Sequence, residues 1–280
     1  MSETSKISDL KKLRSIAKAI RKDIILSLTA AGSGHLGGSL GLADIFTALY
    51  FNILNHDPKN PEWAERDRLI LSIGHVAPVL YTTLAHAGYF PKEELLTLRK
   101  LGSRLQGHPG RDHGLPGIEL SAGSLGQGLS VAVGKAMTAK MNHAGWRVYS
   151  IHGDGELQEG SIWEAAMSAA HYKLDNLTAL IDSNGVQIDG STSHVMEIEP
   201  LALKWESFGW HVISCNGNDI DEVLDAYQIT KKTKGKPSVI IANTRMGKGV
   251  ASIEGDYKWH GKVPSAEQAI QFIKELEEHE

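Results

Sequence analysis

The chain has 280 residues, of which 41% are hydrophobic and 22% charged, which is enough apolar material to bury the core of one large domain. Its formal net charge of -4 and pI near 6.4 give no general attraction to nucleic acid or anionic lipid, so neither is expected as a partner. Cys215 is the only cysteine. This count excludes an intramolecular disulfide, argues against a thiolate-rich zinc site, and predicts a reducing, cytoplasmic location.

The first segment of the chain, about residues 1–60, is predicted to be helical. From Leu10 to Ile24, apolar residues recur every three or four positions between Lys and Arg, which is typical of an amphipathic helix. The segment lacks the apolar stretch and cleavage site of a secretory signal, and no run of about 20 apolar residues predicts a membrane span. We expect one soluble domain over residues 1–280.

A segment rich in glycine and proline, residues 102–128, follows. It is too rich in these residues for regular structure and too long for a simple connection. We therefore predict a functional loop that leads into a helix from about residue 129 to 141.

Four short apolar runs then alternate with helical patterns, at residues 147–152, 177–181, 210–214 and 238–242. This alternation predicts an α/β fold, with a mostly parallel sheet and helices on both faces. Ligands of such sheets bind at the carboxyl ends of the strands.

Two polar turns follow neighbouring predicted strands. Gly153-Asp154-Gly155 ends the first strand, and Asn184 lies about 30 residues further on, the length of one strand-helix-strand unit. This spacing returns Asn184 to the sheet edge beside Asp154. Oxygen ligands of this kind suit Mg²⁺, or Ca²⁺ or Mn²⁺ in its place, and the backbone carbonyl of Val186 is a further candidate ligand. The glycines allow a diphosphate to approach the backbone.

Each turn alone is common in proteins, but the two together, within HGDGELQEGSIWEAA and LIDSNGVQIDG, are far more specific. These segments resemble the thiamine-diphosphate motif of transketolases. The resemblance implies a thiamine-diphosphate-binding domain and the transfer of a two-carbon glycolaldehyde unit from a ketose phosphate to an aldose phosphate, as in the pentose phosphate pathway.

Other segments resemble the same family in the same order. They are the SGHLGG segment at 33–38, LSIGH at 71–75, GHPG at 107–110, GSLGQG at 123–128 and WHGK at 259–262. The family implies cofactor contacts from Gly123, Ser124 and Leu125. Many relatives have proline where this chain has Ser124, which leaves the detailed shape of that loop open.

Histidines are usually surface or packing residues, and the chain has 13. We assign such roles to six that match no family motif, which are His56, His86, His143, His171, His194 and His279. The resemblance implies that His75 contacts the diphosphate and that His35 and His260 handle protons and sugar hydroxyls, with His260 also near the cofactor. It implies that His108 faces the two-carbon unit. An imidazole suits this work because it donates or accepts protons near neutral pH.

In full-length transketolases, a second domain supplies the glutamate that activates the cofactor, and no such domain follows the short helical pattern at 266–278. We therefore expect a separate subunit with the pyrimidine-binding domain, in a heterotetramer of two plus two chains. Glu159 and Glu164 are either solvated helix residues or, as the resemblance implies for Glu159, part of a carboxylate network at the subunit contact.

Two alternatives stay open. The first alternative is a related two-carbon transfer or a modified-sugar transketolase, because the chain weakly resembles deoxyxylulose-phosphate synthase at His35-Leu36-Gly37. The second is a non-catalytic assembly subunit that keeps the fold, although Asp154 and Asn184 are both present.

Overall fold

The structure, a computed structural model, describes residues 6–279, with the side chain of His279 outside the described part. The surface or packing role expected for His279, and the first five residues of the N-terminal segment, therefore lie outside the described residues. The strands are β1 (Arg68–Leu71), β2 (Val148–Gly153), β3 (Leu177–Ser183), β4 (Val186–Gln187), β5 (Gly190–Ser191), β6 (His211–Asn216) and β7 (Ser238–Asn243).

The α-helices surround this sheet. They are α1 (Leu10–Ala31), α2 (Gly37–Gly41), α3 (Ala43–Ala48), α4 (Ala77–His86), α5 (Gly128–Met141), α6 (Gly160–His171), α7 (Thr192–Val195), α8 (Leu201–Ser207), α9 (Ile220–Lys232) and α10 (Ala266–His279). Helix α1 begins where the Asp9 side chain accepts a hydrogen bond from the Lys11 amide and ends at Gly32, which has a φ of 69°.

Five strands form one parallel sheet in the order β1-β2-β3-β7-β6, and β4 and β5 form a separate two-residue hairpin. Gly153 at the end of β2 is in register with Asp182 near the end of β3. The carboxyl ends of β1, β2 and β3 are therefore neighbours, which places the loops that follow them around one point.

Alternate strand residues enter two separate cores. On one face, Ile151 and Leu180 pack with helices α1, α3, α4, α9 and α10. On the other, Val148 and Ala179 pack with α5, α6 and α8. A parallel sheet with helices on both faces is thus confirmed, and it explains why the strands are apolar at nearly every position.

The strands differ from the sequence prediction mainly at their ends. The predicted runs end at residues 181 and 242, whereas β3 and β7 continue to Ser183 and Asn243, because the pairing Asp182–Ala242 and Ser183–Asn243 extends the ladder into polar residues. Strand β1 is absent from the prediction, since four residues give too short an apolar run. The 102–128 segment contains one short 3₁₀ turn, Arg111–His113, in a chain otherwise irregular up to α5.

Among the described helices, none is long and apolar enough to cross a bilayer.

Candidate active site

A cleft of about 510 Å³ opens at the carboxyl ends of β1, β2 and β3. Its lining comes from eight segments of the chain, several of them far apart in sequence. The predicted site residues found in this lining are His35, His75, His108, Gly123, Leu125, Gly153, Asp154, Gly155, Asn184, Val186 and His260. The structure thus brings nearly all of them to one cavity.

Asp154 and the loop after β3 are in direct contact at this cleft. The Asp154 carboxylate is 3% exposed, and its Oδ2 accepts a hydrogen bond from the Gly185 amide at 2.6 Å. Its Oδ1 accepts one from the Gly155 amide at 2.7 Å. The Asn184 Oδ1 accepts a bond from the Val186 amide at 3.0 Å. The Asp154 carboxylate therefore contacts the backbone of the loop that carries Asn184, and both residues line the cleft.

A second buried carboxyl, Asp182, lies behind this pair. It accepts hydrogen bonds from the Thr244 hydroxyl and, at 3.0 Å, from the Asn184 amide nitrogen. Burial raises the pKa of Asp182, as does the nearby charge of Asp154, although the bond from Thr244 opposes the shift. Burial also raises the pKa of Asp154, against the bonds from backbone amides. Two carboxyls held this close out of water favour a cation beside them.

The donor set fits a magnesium ion that is shared with a phosphate ligand. Within residues 6–279 there is no cluster of three or more His, Cys, Asp or Glu placed to hold a metal. Asp154 offers one carboxylate and Asn184 one amide oxygen, while Mg²⁺ typically takes one or two carboxylates and completes its shell with water and phosphate oxygens. The chain alone would therefore hold such an ion weakly, and a diphosphate would complete the site.

Three histidines that line the same cleft lie close to one another. The ring centroids are 5.0 Å apart for His35 and His75, 5.1 Å for His75 and His260, and 5.5 Å for His35 and His260. They come from the loop before α2, the turn before α4 and the segment after β7. Only the tertiary fold brings them together.

Burial keeps these rings neutral at physiological pH. Burial, together with the neighbouring imidazoles, lowers the pKa of His75 to about 3 and that of His35 to about 4. It also lowers the pKa of His260. A neutral imidazole can either donate or accept a hydrogen bond, depending on its tautomer.

Two of the rings have unused polar atoms. Among the described residues, the buried Nδ1 atoms of His35 and His260 have no hydrogen-bond partner. An unpaired buried nitrogen is costly in a folded protein unless a ligand meets it. These atoms are therefore available to a polar ligand in the cleft.

His108 lies at the exposed mouth of the cleft, next to a residue that sequence reasoning missed. Burial lowers the pKa of His108, and the positive charge of Arg99 lowers it further and also acts on His35. Arg99 has a φ of 59°, unusual for a residue with a side chain, and its amide bonds the Leu105 carbonyl at 2.8 Å. No sequence motif marks Arg99, and only its backbone conformation and its charge beside the histidines distinguish it.

The 123–128 loop forms one wall of the cleft through Gly123 and Leu125. Ser124, between them, is exposed. At Gly126 the φ is +81°, and an added Cβ would lie 2.7 Å from the Glu159 Cβ. Glycine is required here for both reasons.

Glu156 is the buried residue of this region that sequence reasoning missed. It lies in a 3₁₀ turn directly after Gly155, lines the cleft, and is 2% exposed. Glu159, at the start of α6, also lines the cleft, and Glu164 is exposed on that helix. The sequence around a glutamate in a turn does not indicate whether its side chain is buried. The burial of Glu156 is therefore known only from the structure.

Comparison with known proteins gives a family for this chain. Residues 12–277 match the family described as "Transketolase, thiamine diphosphate binding domain". The chain is 44% identical over 258 residues to an apulose-4-phosphate transketolase subunit of Phocaeicola vulgatus, covering 92% of this chain and 91% of that one. It is 46% identical over 261 residues to the 6-deoxy-6-sulfo-D-fructose transketolase subunit SqwG of Clostridium sp. (strain MSTE9), covering 93% and 94%.

Solved structures agree with the sequence matches. Transketolase from Leishmania mexicana superposes with a TM-score of 0.89 at 33% identity, and that from Campylobacter jejuni with a TM-score of 0.89 at 38% identity. Each match covers 95% of this chain but 41% and 43% of the solved chains, so this chain spans about two fifths of their length. The chain therefore belongs to the transketolase family of thiamine-diphosphate-dependent transferases, as a relative of proteins named as transketolase subunits.

Proposed function

We propose that this chain is the diphosphate-binding subunit of a two-chain transketolase and that its cofactor is held through Mg²⁺ by Asp154, Asn184 and the Val186 carbonyl. The observation that carries the proposal is the direct contact between Asp154 and the 184–186 loop at the floor of the cleft. The raised pKa values of two adjacent buried carboxyls support a cation at that point. When bound, thiamine diphosphate supplies the electron sink needed to break a carbon-carbon bond beside a carbonyl.

The histidines serve the proton steps of this reaction. His75 lies nearest the middle of the three-ring cluster and is proposed to bind the diphosphate. His35 and His260, with their unpaired Nδ1 atoms, orient the sugar hydroxyls and move protons to and from them, and His260 also contacts the cofactor. His108, at the mouth, faces the two-carbon unit. Because all four pKa values are lowered, each ring is neutral at pH 7 and can donate or accept a hydrogen bond, depending on its tautomer.

Roles on the glycine-rich wall follow from position. Gly123 and Leu125, with Ser124 at the exposed edge, are proposed to contact the cofactor along the loop. Gly153 and Gly155 flank Asp154 and line the cleft beneath. Glu159 is proposed to lie at the subunit contact, which agrees with its position on the rim of the cleft at the start of α6.

A second chain is proposed to complete the site. It carries the pyrimidine-binding domain and the glutamate that activates the cofactor, in a cytoplasmic heterotetramer of two plus two chains. Support comes from relatives that are named as subunits and match this chain over nearly their full length. The transketolases of known structure contain a further part that this chain does not align with.

The sugars are proposed to be a ketose phosphate donor and an aldose phosphate acceptor of the pentose phosphate type. A modified-sugar substrate is the second candidate, because two relatives at 44% and 46% identity are named for apulose 4-phosphate and 6-deoxy-6-sulfofructose. Both candidates share a ketose end and an anionic tail, so the chemistry at the histidine cluster is the same. A deoxyxylulose-phosphate-synthase-like donor, pyruvate, differs at that end.

The experiment is reconstitution of the purified chain with its co-purifying partner, Mg²⁺ and thiamine diphosphate. Xylulose 5-phosphate with ribose 5-phosphate is expected to turn over in the complex, and the panel also contains sulfofructose and pyruvate. Asp154→Ala is expected to abolish turnover and Glu164→Gln, an exposed change on α6, to leave it intact. Robust turnover by the chain without a partner would contradict the two-chain proposal. Cofactor binding that is indifferent to Asp154→Ala would contradict the metal site.

A further inference from the structure

The buried Glu156 carboxylate joins three separate segments of the cleft. Its Oε1 accepts hydrogen bonds from the Gly126 amide at 2.7 Å and from the Ser72 hydroxyl. Its Oε2 accepts one from the Gly153 amide at 3.3 Å and lies 3.1 Å from the His152 Nδ1. The three segments are the end of β1, the 123–128 loop and the end of β2.

Ser72 extends this connection further along the loop. Its hydroxyl donates to Glu156 and accepts a hydrogen bond from the Gly128 amide at 3.0 Å. The 123–128 loop is therefore tied at two amides, one bound directly by Glu156 and the other through Ser72. Both bonds are buried, and the bond from Gly126 has a charged acceptor, which makes it the stronger of the two.

The residues that face the cleft lie a few positions from these ties. His75 follows Ser72, Leu125 precedes Gly126, and Asp154 follows Gly153. Glu156 thus connects the segments that carry a histidine, the glycine-rich wall and the carboxylate, although its own carboxylate is fully occupied by bonds within the protein.

Packing leaves the tied loop little freedom to choose another position. The Gly126 carbonyl accepts a hydrogen bond from the Ser161 hydroxyl at 3.0 Å. At Gly128, an added Cβ would lie 2.4 Å from the Ser72 Cβ. Close packing determines the position that the loop can occupy, and the bonds to Glu156 stabilise the loop in that position.

We propose that Glu156 is a positioning residue that holds the 123–128 loop in its cofactor-binding shape before the cofactor arrives. The proposal rests on the cleft being the cofactor site, as argued above. A preformed wall lowers the ordering cost of binding. The role is therefore expected to affect the affinity for thiamine diphosphate, while chemistry at saturating cofactor proceeds nearly unchanged.

The test measures the loop directly, by amide hydrogen exchange in the full-length chain without cofactor. In Glu156→Ala, exchange in peptides spanning 123–128 is expected to rise by about tenfold or more, as when a bond to a charged acceptor is lost. Glu156→Gln is the conservative variant. Its amide oxygen can still accept from Gly126 and Ser72, while its NH₂ faces His152 and no longer accepts from the Gly153 amide. It is therefore expected to restore most of the protection of the 123–128 loop.

Cofactor affinity is then measured by calorimetry with Mg²⁺ in the complex with the partner chain. Glu156→Ala is expected to raise the Kd for thiamine diphosphate about tenfold and to change kcat at saturating cofactor little, with Glu156→Gln close to wild type. The matched control is Asp67→Ala. Asp67 is another buried carboxylate that binds two backbone amides, those of Asn55 and Arg147, but it lies directly before β1, at the amino end of that strand and not at the carboxyl end that borders the cleft.

Asp67→Ala is expected to lower Tm without changing the exchange of the 123–128 loop or the cofactor Kd. If Glu156→Ala does not fold, Ser72→Ala replaces it, and faster exchange at the Gly128 amide is expected. Unchanged loop exchange in the folded variant, or equal effects of Glu156→Ala and Glu156→Gln, would overturn the proposal. If the cleft is not the cofactor site, the results differ from this. Asp154→Ala then leaves the Kd for thiamine diphosphate unchanged, while Glu156→Ala still speeds amide exchange in the 123–128 loop.

Discussion

The neutral state of His75 predicts how acid affects stability. Its pKa is about 3 in the folded chain because the ring is buried, next to His260 and His35, and about 6.5 in an unfolded chain. Below pH 6.5 the unfolded state binds a proton that the folded state does not, so the free energy of unfolding falls as the pH falls. The loss continues until the folded pKa is reached.

The size of this effect follows from the two pKa values. Between pH 6.5 and the folded pKa, each pH unit lowers the free energy of unfolding by about 1.36 kcal/mol. At pH 5 the total loss from His75 is about 2 kcal/mol. The same figure results for any folded pKa well below 5. The buried carboxyls Asp154 and Asp182 titrate in the opposite direction, because raised pKa values favour the folded state on acidification. The difference between two variants is therefore more informative than either curve alone.

The assay is urea unfolding of wild type and His75→Asn between pH 7.5 and 5.0. Wild type is expected to lose about 2 kcal/mol more than the variant over this range. His143→Asn removes an exposed histidine whose φ of 52° asparagine tolerates well, and it is expected to retain the pH dependence of wild type. A difference between wild type and His75→Asn that stays constant with pH would refute the reasoning.

Three further predictions follow from the same structure. Calorimetry is expected to show weak Mg²⁺ binding to the cofactor-free chain and tight binding once thiamine diphosphate is added, with the linkage lost in Asp154→Ala; tight binding of Mg²⁺ alone would contradict the donor count. Gly126→Ala forces a Cβ against Glu159 at a φ of +81° and is expected to weaken cofactor binding at least about tenfold, whereas Gly134→Ala, with open space around it on α5, is expected to raise Tm slightly. Asp44→Ala removes the carboxylate bound to the buried Arg21 and is expected to lower the free energy of unfolding by about 3 kcal/mol in urea, against less than about 1 kcal/mol for Arg14→Ala, whose partner Asp219 is 4.0 Å away on the surface.

Much of the fold could be predicted because the sheet is buried on both faces. Continuous apolar runs such as that of β2 are then visible without an alternation to interpret. The ends of the strands could not be predicted in the same way. Asp182 and Ser183 continue β3 because β7 pairs beside them, and pairing between distant segments leaves no local signal.

The site residues also differ in whether the sequence could predict them. The pairing of Asp154 with the Asn184 loop followed from the length of one strand-helix-strand unit, and the structure places them in contact. The four histidines were identified only through resemblance to a family, since no local pattern connects His35 with His260. Glu156 and Arg99 were missed because burial and a positive φ are properties of the folded chain.

The most direct test of the proposed metal site is a crystal structure of the chain with its partner, thiamine diphosphate and Mn²⁺ in place of Mg²⁺. Anomalous scattering locates the metal without reference to any assumed ligand. We expect one peak between the Asp154 carboxylate, the Asn184 side-chain oxygen and the Val186 carbonyl, in contact with the diphosphate. A peak elsewhere in the cleft, or cofactor bound with these three groups turned away from the metal, would contradict the proposed function.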